Sequence, residues 1–494
     1  MELQWEHKNW EYLRCHTRQV QNVEQTHEVR LLEGMPDIGR VLCAWGQCLV
    51  RGKEWRNEGM TVTGTVQVWV LYAPEDGSEP RSVEAQLPFS GKWNFQDSQR
   101  EGQIRVHCQL CHADGRALSS RKMMVRASVS ILAEAMELTE AAVYAPTEVP
   151  GTLQLLKKTY PAVLPREAGE KLFTIEEMIT PASAPRKILA CQVQPVITEQ
   201  AAAGGRVVFR GECRVHLVYM DQNDQLRSED HSLPFAQMAE LDRDYDKDAT
   251  AVVIPAVSGW EYGLTQDGVN ISCSMIGQYV IFMRWLLETI EDVYDPHCPV
   301  EANLQPLQLP VMLECRCEQM ALSAQPEAAV DRIVDLLCLQ EQPTLWRDGE
   351  QVVLEAPCSF QALYYDDEGN LRSLTKNGSG RLELPAAMEC TVTACINACE
   401  TPQASLMGQQ LRLETRNTLQ LCSRADQQIP MISGIRVGQP VIDPKRPSLI
   451  LQRMGDGGLW ELAKACGSTV EAIRKANPGD GEPQAGQMLL IPVV

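Results

Sequence analysis

The sequence predicts a mainly β protein, with three repeats of antiparallel sheet or sandwich followed by a small α+β domain. The segment VTGTVQVWVLY at 62–72 alternates polar and apolar residues, which is typical of a strand with one buried face. Similar segments end at Tyr219 and Tyr364, so the tyrosine that ends the first segment recurs after 147 and then 145 residues. A step of that size indicates a repeated domain, because solenoid repeats are only about 20–50 residues long.

A second landmark supports the same register. Segments that begin at Arg40, Lys187 and Arg332 each precede the tyrosine of their repeat by 32 residues. Each repeat then closes with a further alternating segment, at 124–131, 269–276 and 411–419. Several short strands joined by turns predict an antiparallel sheet or sandwich in each repeat.

The residues after the second and third tyrosines predict hairpin turns. DQNDQ at 221–225 and DDEGN at 366–370 contain Asp, Asn or Gly, which tolerate the backbone angles of a tight turn. Neither segment has the EF-hand spacing that ends in a glutamate, so we interpret both as turns and not as calcium loops.

The third repeat is the divergent one. Repeats one and two share Leu-Pro-Phe at 87–89 and 233–235, and the third repeat lacks this element. Its strand has Ala356 in place of the glycine of the other copies, and Pro357 follows. Because proline lacks a backbone donor, we predict that this strand lies at a sheet edge or carries a bulge.

A chain of 494 residues is too long for one core and divides into about three or four domains. The predicted parts are an N-terminal arm at 1–20, three repeats at 21–143, 153–293 and 312–425, a proline-rich linker at 426–447 and a C-terminal domain at 448–494. The segments 132–142 and 282–292 fit a helix as well as an edge strand, and the pattern leaves both open.

The C-terminal domain has a different pattern, which predicts the order strand, helix, helix, strand. Apolar residues at helical spacing run over 459–466 and stop at Gly467. Ser468, with Glu471 three residues later, predicts a capping box for a second helix over 469–476. The closing strand is predicted within 486–492.

Charge and cysteine usage limit the classes of function. A net charge of −20 disfavours nucleic acid and anionic membranes as partners, because both require clustered Lys and Arg. The acidic start, MELQWEH, does not resemble an export signal, so we expect a cytosolic protein whose 18 cysteines are mostly reduced. Cys108, Cys111 and His112 match the haem-attachment spacing, but the alternation around them favours a strand. No cofactor or metal is predicted.

No enzyme motif is recognisable in the chain. It contains no G-x-S-x-G, P-loop or H-E-x-x-H, and no G-x-G-x-x-G follows a strand. The eight histidines do not recur at equivalent repeat positions, and His216 is predicted to be solvated. We therefore expect a protein that is not an enzyme, although a hydrolase built from scattered carboxylates stays open.

The C-terminal domain resembles LysM domains, through Gly455-Asp456, Leu459-Trp460, Asn477-Pro478 and the closing strand at 489–492. LysM domains commonly bind N-acetylglucosamine polymers between two loops. Two glycines separate Asp456 from Leu459, where the family usually has one residue. Leu459, Trp460 and Asn477 fit a structural role as well as ligand contact. The resemblance implies partner- or glycan-binding residues Gly455, Asp456, Gly457, Gly458, Leu459, Trp460, Asn477, Pro478, Gly479 and Asp480.

The repeats resemble SPOCS domains of endospore-forming bacteria, through the glycine-to-tyrosine strands, the Leu-Pro-Phe elements and the lead-in at 171–177. Tandem SPOCS units followed by a LysM domain are similar to the SipL family of clostridial spore-coat morphogenetic proteins. The resemblance implies a mother-cell protein that is recruited to the forespore surface, with its LysM domain docked on the coat-basement ATPase (SpoIVA-like). The alternative is a protein that binds peptidoglycan or cortex glycan through a generic LysM domain.

Overall fold

The computed structural model describes residues 2–56, 59–95, 101–385, 390–407, 410–441, 446–478 and 482–494. Over these residues the protein is mainly β, with 24 strands and two helices, and its strand pairs are antiparallel. The predicted fold class is confirmed at this level. No helix in the described ranges is long and apolar enough to cross a membrane.

The first six strands form one unit, which we call unit 1. They pair in two sheets, with the orders β1-β6-β5 and β2-β3-β4. The strands are β1 (Trp5–Arg30), β2 (Ile38–Arg56), β3 (Gly59–Pro74), β4 (Arg81–Asn94), β5 (Gln103–Ser119) and β6 (Lys122–Pro146). The predicted N-terminal arm at 1–20 is wrong from Trp5 onward, because β1 pairs with β6 along its length.

Unit 2 repeats this arrangement, with the sheet orders β7-β12-β11 and β8-β9-β10. Its strands are β7 (Gln154–Ile179), β8 (Pro185–Ala203), β9 (Arg206–Asp221), β10 (Leu226–Glu240), β11 (Thr250–Leu264) and β12 (Val269–Tyr294). The segments 132–142 and 282–292, which the sequence left open, lie in β6 and β12 as strand. Both of these strands are central in their sheets.

Unit 3 follows the same plan with additions. Its two groups, β14-β21-β19 and β15-β17-β18, join through one pairing between Ser323 and Ser379, and β16 and β20 are extra short strands. The ranges are β14 (Leu307–Ala324), β15 (Arg332–Gln340), β16 (Thr344–Asp348), β17 (Gln351–Tyr365), β18 (Leu371–Pro385), β19 (Thr391–Cys399), β20 (Gln403–Met407) and β21 (Gln410–Ile429).

Part of the predicted linker at 426–447 is also strand. The strand β21 continues to Ile429, and β22 (Ile432–Val437) pairs with β13 (Val300–Leu304), which lies between units 2 and 3. In the described part of this region, Pro430 therefore lies between two strands and not within one long loop.

Pro357 does not place its strand at an edge, so that part of the prediction is wrong. The strand β17 is central and pairs continuously with β18 on one side. On the other side its partner is divided into β15 and β16, whose pairings stop at Cys358 and Glu355. The carbonyl of Pro357 accepts from Glu341 N (2.9 Å) on this side. The missing proline donor thus faces the break between the two short strands, where no ladder bond is required.

The three units contact one another in a closed ring. Strand β2 of unit 1 contacts β11 of unit 2, β8 of unit 2 contacts β19 of unit 3, and β15 of unit 3 contacts β5 of unit 1. These are equivalent pairs of strands in the three units. The long strand pairs β1-β6, β7-β12 and β14-β21 also share an apolar core, which includes Tyr12, Trp285 and Ile429.

The C-terminal module comprises β23 (Leu449–Arg453), α1 (Gly458–Cys466), α2 (Val470–Ala476) and β24 (Met488–Pro492). Its two strands pair antiparallel, and α1 ends at Gly467 in a left-handed conformation (φ 60°). The cap of α2 is Thr469, whose hydroxyl accepts from Ala472 N (3.0 Å), so the predicted cap at Ser468 is wrong by one residue. The buried Ser468 hydroxyl instead donates to the Pro492 carbonyl.

Candidate functional site

The loop before α1 is the exposed part of the predicted LysM site. Gly455, Asp456 and Gly457 are exposed, and Gly458 begins the helix. Leu459 is buried in the core of the module, together with Ile473 and Ile491. Of this group, the structure leaves the three loop residues accessible and gives Leu459 a packing role.

Trp460 is held against unit 2. Its Nε1 donates to Asp292 Oδ2 of β12 (2.7 Å), and Lys464 Nζ binds both oxygens of the same carboxylate (2.7 Å each). The ring of Trp460 lies edge-on to Tyr294, with 4.8 Å between the centroids. Burial opposes ionisation of Asp292, but the hydrogen bonds from Lys464 and Trp460 lower the pKa of this carboxyl below its ordinary value. This face of α1 is therefore occupied within the chain.

Two further contacts anchor the module. The hydroxyl of Tyr294 donates to the Ser468 carbonyl (3.0 Å), and Tyr294 is part of the module's apolar core. Arg446 donates through Nη1 to the Pro296 carbonyl (3.0 Å) and through Nη2 to the Gly467 carbonyl (2.8 Å). The end of β12 therefore completes the module's core.

Asn477 has a structural role. Its amide nitrogen donates to the carbonyls of Ile473 (2.8 Å) and Leu490 (2.6 Å), and its amide oxygen accepts from Leu490 N (2.8 Å). These bonds tie the end of α2 to β24. Pro478 is exposed beside it, whereas Gly479 and Asp480 lie outside the described residues.

The outer face of the paired strands β23 and β24 carries exposed apolar side chains, and the sequence reasoning missed it. Leu449, Leu451 and Met488 are 50%, 65% and 49% exposed. Leu451 lies opposite Leu490 across the two strands. Ile450 points to the other face and packs on the module's core. The period of two along LILQR is the signal that separates Ile450 from its two leucine neighbours.

A cavity of about 460 Å³ lies at the centre of the ring and is lined by all three units. Gly46, Val193 and Cys338 line it at equivalent positions, with the same steps of 147 and 145 residues as the tyrosines. His107 and Ile254 are a second pair, 147 residues apart. The cavity is therefore a consequence of packing three copies of one domain around a common centre.

A charged group at the cavity joins the units. His216 Nδ1 lies 2.8 Å from Asp230 Oδ1, and His216 Nε2 lies 3.0 Å from Asp335 Oδ1. Asp335 Oδ2 also accepts from Trp45 Nε1 (2.8 Å), so units 1, 2 and 3 meet here. Burial lowers the pKa of His216, but the two carboxylates outweigh it and raise the pKa to about 10.

This geometry gives His216 a binding role within the protein. A histidine that stays protonated at neutral pH has no lone pair for general-base chemistry. The prediction of a solvated His216 is therefore wrong. Its strand alternation was read correctly, but the outward face meets another unit instead of water.

Glutamine side chains add further bonds between units. Gln192 Nε2 donates to the Gly46 carbonyl (2.6 Å), and Gln47 Oε1 accepts from Val193 N (2.9 Å). Gln109 Nε2 donates to the Gln340 carbonyl (2.9 Å). Much of the polar lining thus satisfies backbone groups across the interfaces.

The Cys108–Cys111–His112 segment lies in β5, with a register shift between Leu110 and His112. Burial raises the pKa of Cys108 to about 12 and that of Cys111 to about 11, so both thiols stay protonated. His112 lies 3.1 Å from Asp114 Oδ2. In the described ranges, no group of three or more His, Cys, Asp or Glu side chains is arranged to hold a metal ion.

The two candidate sites are therefore the exposed part of the C-terminal module and the cavity at the centre of the ring. The module offers a loop and an exposed apolar sheet face, and the cavity is lined by side chains of which Gln47, Gln109, Gln192 and His216 bond across the unit interfaces. Comparison of the chain with models of protein families, with curated proteins and with solved structures finds no match.

Proposed function

We propose that this chain is a non-enzymatic adaptor of endospore envelope assembly, whose C-terminal module docks on the coat-basement ATPase. The observation that carries the proposal is the exposed apolar face of Leu449, Leu451 and Met488. Contiguous apolar surface of this kind commonly marks a contact with another protein. The resemblance to SPOCS and LysM domains supplies the setting and the partner.

The contacts of the predicted ligand residues favour a protein partner over a glycan. A LysM-type glycan site requires free polar groups at its two loops to bind acetamido groups. The side-chain amide of Asn477 is hydrogen-bonded to the backbone of α2 and β24, and Trp460 is bound to Asp292. Among the predicted residues that the structure describes, the exposed loop residue Asp456 is the polar side chain left for a ligand.

The distribution of charge supports a division of roles. Residues 448–494 contain four Lys or Arg and five Asp or Glu, so the net charge of −20 lies almost wholly in the rest of the chain. A nearly neutral module with an apolar face suits docking, because little charge has to be desolvated at the contact. The acidic units suit a soluble scaffold.

The ring interface supports a non-catalytic role for the units. His216 and Asp230 line the cavity, and His216 pairs with both Asp230 and Asp335. Groups paired in this way hold the units together and present no unpaired acid, base or nucleophile to a substrate.

The proposal is tested by pull-down from sporulating cells with the full chain as bait. The double variant Leu451→Glu, Met488→Glu places two charges on the apolar face and is expected to lose the ATPase. Removal of residues 448–494 is expected to have the same effect. The matched control is Lys475→Glu, which changes an exposed residue on α2. Equal recovery of the ATPase by all baits would overturn the docking model.

The glycan alternative has a separate test. Muropeptides and chitooligosaccharides are titrated into the full chain and into Asp456→Ala, whose side chain is exposed. Saturable binding that Asp456→Ala removes while the fold is retained would favour glycan recognition. We expect no saturable binding. Asn477 is unsuitable for this test, because its substitution removes bonds that hold α2 to β24.

A further inference from the structure

Cys315 and Cys422 lie directly opposite each other on β14 and β21. Their Sγ atoms are 2.8 Å apart, within hydrogen-bonding distance of each other. Directly opposed residues of an antiparallel pair have the Cα spacing that a disulfide can span. We propose that this pair is a dithiol modification site, which a peroxide converts into a cross-strand disulfide.

The surroundings of the pair are electropositive. Arg105 Nε lies 2.5 Å from Glu134 Oε2, Arg18 Nη1 lies 3.0 Å from Glu134 Oε1, and Arg424 Nη2 lies 3.8 Å from the same oxygen. One buried carboxylate thus faces three guanidinium groups, and positive charge remains in excess. An excess of buried positive charge stabilises a thiolate nearby.

Cys422 is the thiol that this environment ionises. The hydrogen bond from Cys315 lowers the pKa of Cys422 most. Burial opposes that effect, and Arg18, Arg105 and Arg424 add to it, so the pKa falls to about 7. Cys108 and Cys395 show the opposite behaviour, because burial raises the pKa of each to about 12. Cys422 therefore differs from Cys108 and Cys395.

Several elements contribute titratable or charged groups to this environment. The groups are Cys15 and Arg18 of β1, Arg105 of β5, Glu134 of β6, Cys315 and Cys317 of β14, Cys395 of β19 and Arg424 of β21. Within this set, three cations face one carboxylate that stays ionised above about pH 2.

A small oxidant can reach the pair. Cys315 is partly exposed, and Cys317 lies two residues along the same strand and is exposed. Gln420 contacts Cys315 Sγ (3.9 Å) and also lines the central cavity. Cys422 itself is buried, which favours hydrogen peroxide over a bulky disulfide as the oxidant.

The chemistry has two steps. The Cys422 thiolate attacks hydrogen peroxide, an S–O bond forms, the O–O bond breaks, and hydroxide leaves and takes up the proton that the thiol released. The sulfur of Cys315 then attacks the sulfenic sulfur of Cys422. An S–S bond forms, and the hydroxyl leaves as water with the proton of Cys315. The pair loses two electrons and two protons, and peroxide becomes two molecules of water.

The disulfide would stabilise unit 3. It joins residues 107 positions apart and closes a long loop in the unfolded chain, which reduces the entropy gained on unfolding. Redox-sensing disulfides of this transient kind also occur in reducing compartments.

The test is peroxide treatment of the full-length protein, followed by blocking of free thiols and peptide mapping by mass spectrometry. A peptide that links Cys315 to Cys422 is expected. Before oxidation, Cys422 is expected to react with an alkylating reagent about ten-fold faster than Cys395 at pH 7. Cys422 that is labelled no faster than Cys395, with no linked peptide, would overturn the proposal.

Variants separate the two thiols. Cys315→Ser is expected to leave a sulfenic acid on Cys422, which peptide mass mapping detects as one added oxygen atom, and Cys422→Ser is expected to give neither product. Arg424→Gln is expected to move the pH profile of Cys422 alkylation to higher pH. The matched control, Arg416→Gln, changes an exposed residue of the same strand and leaves the profile unchanged. A profile shifted equally by both variants would contradict the assigned electrostatics.

Discussion

Phe89 lies directly opposite Gly64 in the β3-β4 pair, and its ring covers the glycine. A Cβ on Gly64 would lie 2.7 Å from Phe89 Cε1 and 2.6 Å from the Leu49 carbonyl oxygen. Phe235 covers Gly211 in the same way in unit 2, where the Cβ would lie 2.8 Å from Phe235 Cζ. The glycine and the Leu-Pro-Phe element therefore recur together, because the ring needs the space that the glycine leaves.

Unit 3 has lost both members of this pair. Ala356 takes the place of the glycine, and the residue opposite it is Gly380. In unit 3 the glycine of this pair therefore lies on the partner strand. The glycine and the Leu-Pro-Phe element, which look like two separate motifs in the sequence, thus form one packing contact.

We predict that Gly64→Ala destabilises the protein by about 1–3 kcal/mol, because the methyl group overpacks the site. The measurement is chemical denaturation of the purified chain. Gly263→Ala is the matched control, since Gly263 is also a strand residue but has no atom within 4 Å of its added Cβ.

A double-mutant cycle tests the cause. Phe89→Leu shortens the side chain opposite Gly64, so Gly64→Ala should cost about 1 kcal/mol less in that background. Additive effects of the two substitutions would contradict the proposed contact between Phe89 and the position of Gly64.

The His216 contacts predict a stability that depends on alkaline pH. The folded-state pKa of His216 is raised from 6.5 to about 10, so its stabilising effect is complete below pH 6.5 and is lost as pH rises towards 10. His216→Gln should remove this contribution. The difference in unfolding free energy between wild type and variant is therefore expected to shrink over that window.

Asp335→Asn should destabilise the protein by about 3 kcal/mol, because it leaves the charged His216 with one partner fewer.

The control for His216→Gln is His297→Gln, since His297 is exposed. A wild-type to His216→Gln difference that is constant from pH 6.5 to about 10 would refute the charged histidine.

The Glu134 cluster predicts the opposite response, at acid pH. Burial raises the pKa of Glu134, but Arg105, Arg18 and Arg424 outweigh it and lower the pKa from 4.5 to about 2. Its contribution is complete above pH 4.5 and is lost as pH falls towards 2. Glu134→Gln should cost about 3–5 kcal/mol near neutral pH, because the buried Arg105 and the half-buried Arg18 and Arg424 would lose their counter-charge.

Denaturation of the wild type and Glu134→Gln between pH 7 and about pH 2 measures this effect. The control is Glu140→Gln on the same strand, where the side chain is exposed and bound to Asn9 Nδ2 (2.6 Å). We expect its effect to stay within about 0.5 kcal/mol. A Glu134→Gln protein as stable as wild type at neutral pH would show that the cluster is not held by this carboxylate.

Asp292→Asn should loosen the C-terminal module from unit 2. The substitution removes the charge that binds Lys464 and weakens the acceptor of Trp460. Backbone amide exchange in α1 and proteolysis between β22 and β23 are expected to increase, while the sheets of the three units stay protected. Glu461→Gln, an exposed residue of α1, is the control. Unchanged exchange in α1 would indicate that Tyr294 and Arg446 suffice to hold the module.

Local patterns made several features predictable. Alternation identified the strands that contain Tyr72 and Tyr219, and both tyrosines are buried. The turn residues were also correctly interpreted. Asp221 Oδ1 accepts from Asn223 N (2.8 Å) and Gln225 N (2.9 Å), so this carboxylate stabilises the turn.

The missed features depend on contacts between distant residues. Trp5–Arg30 was predicted to include a separate arm because it is polar, but its partner β6 lies more than 90 residues later and pairs along its length. Pro357 was predicted at an edge because a single sequence does not show that the facing strand is divided in two.

The sequence by itself determined the β class, the threefold recurrence and the order of elements in the C-terminal module, because period, turn chemistry and helix ends are local properties of the chain. Only the tertiary structure decided that the units close into a ring, that His216 meets Asp335, that Trp460 binds Asp292 and that Cys315 faces Cys422. Each of these contacts joins residues more than 100 positions apart, and such pairings follow from packing and charge between surfaces that no local pattern specifies.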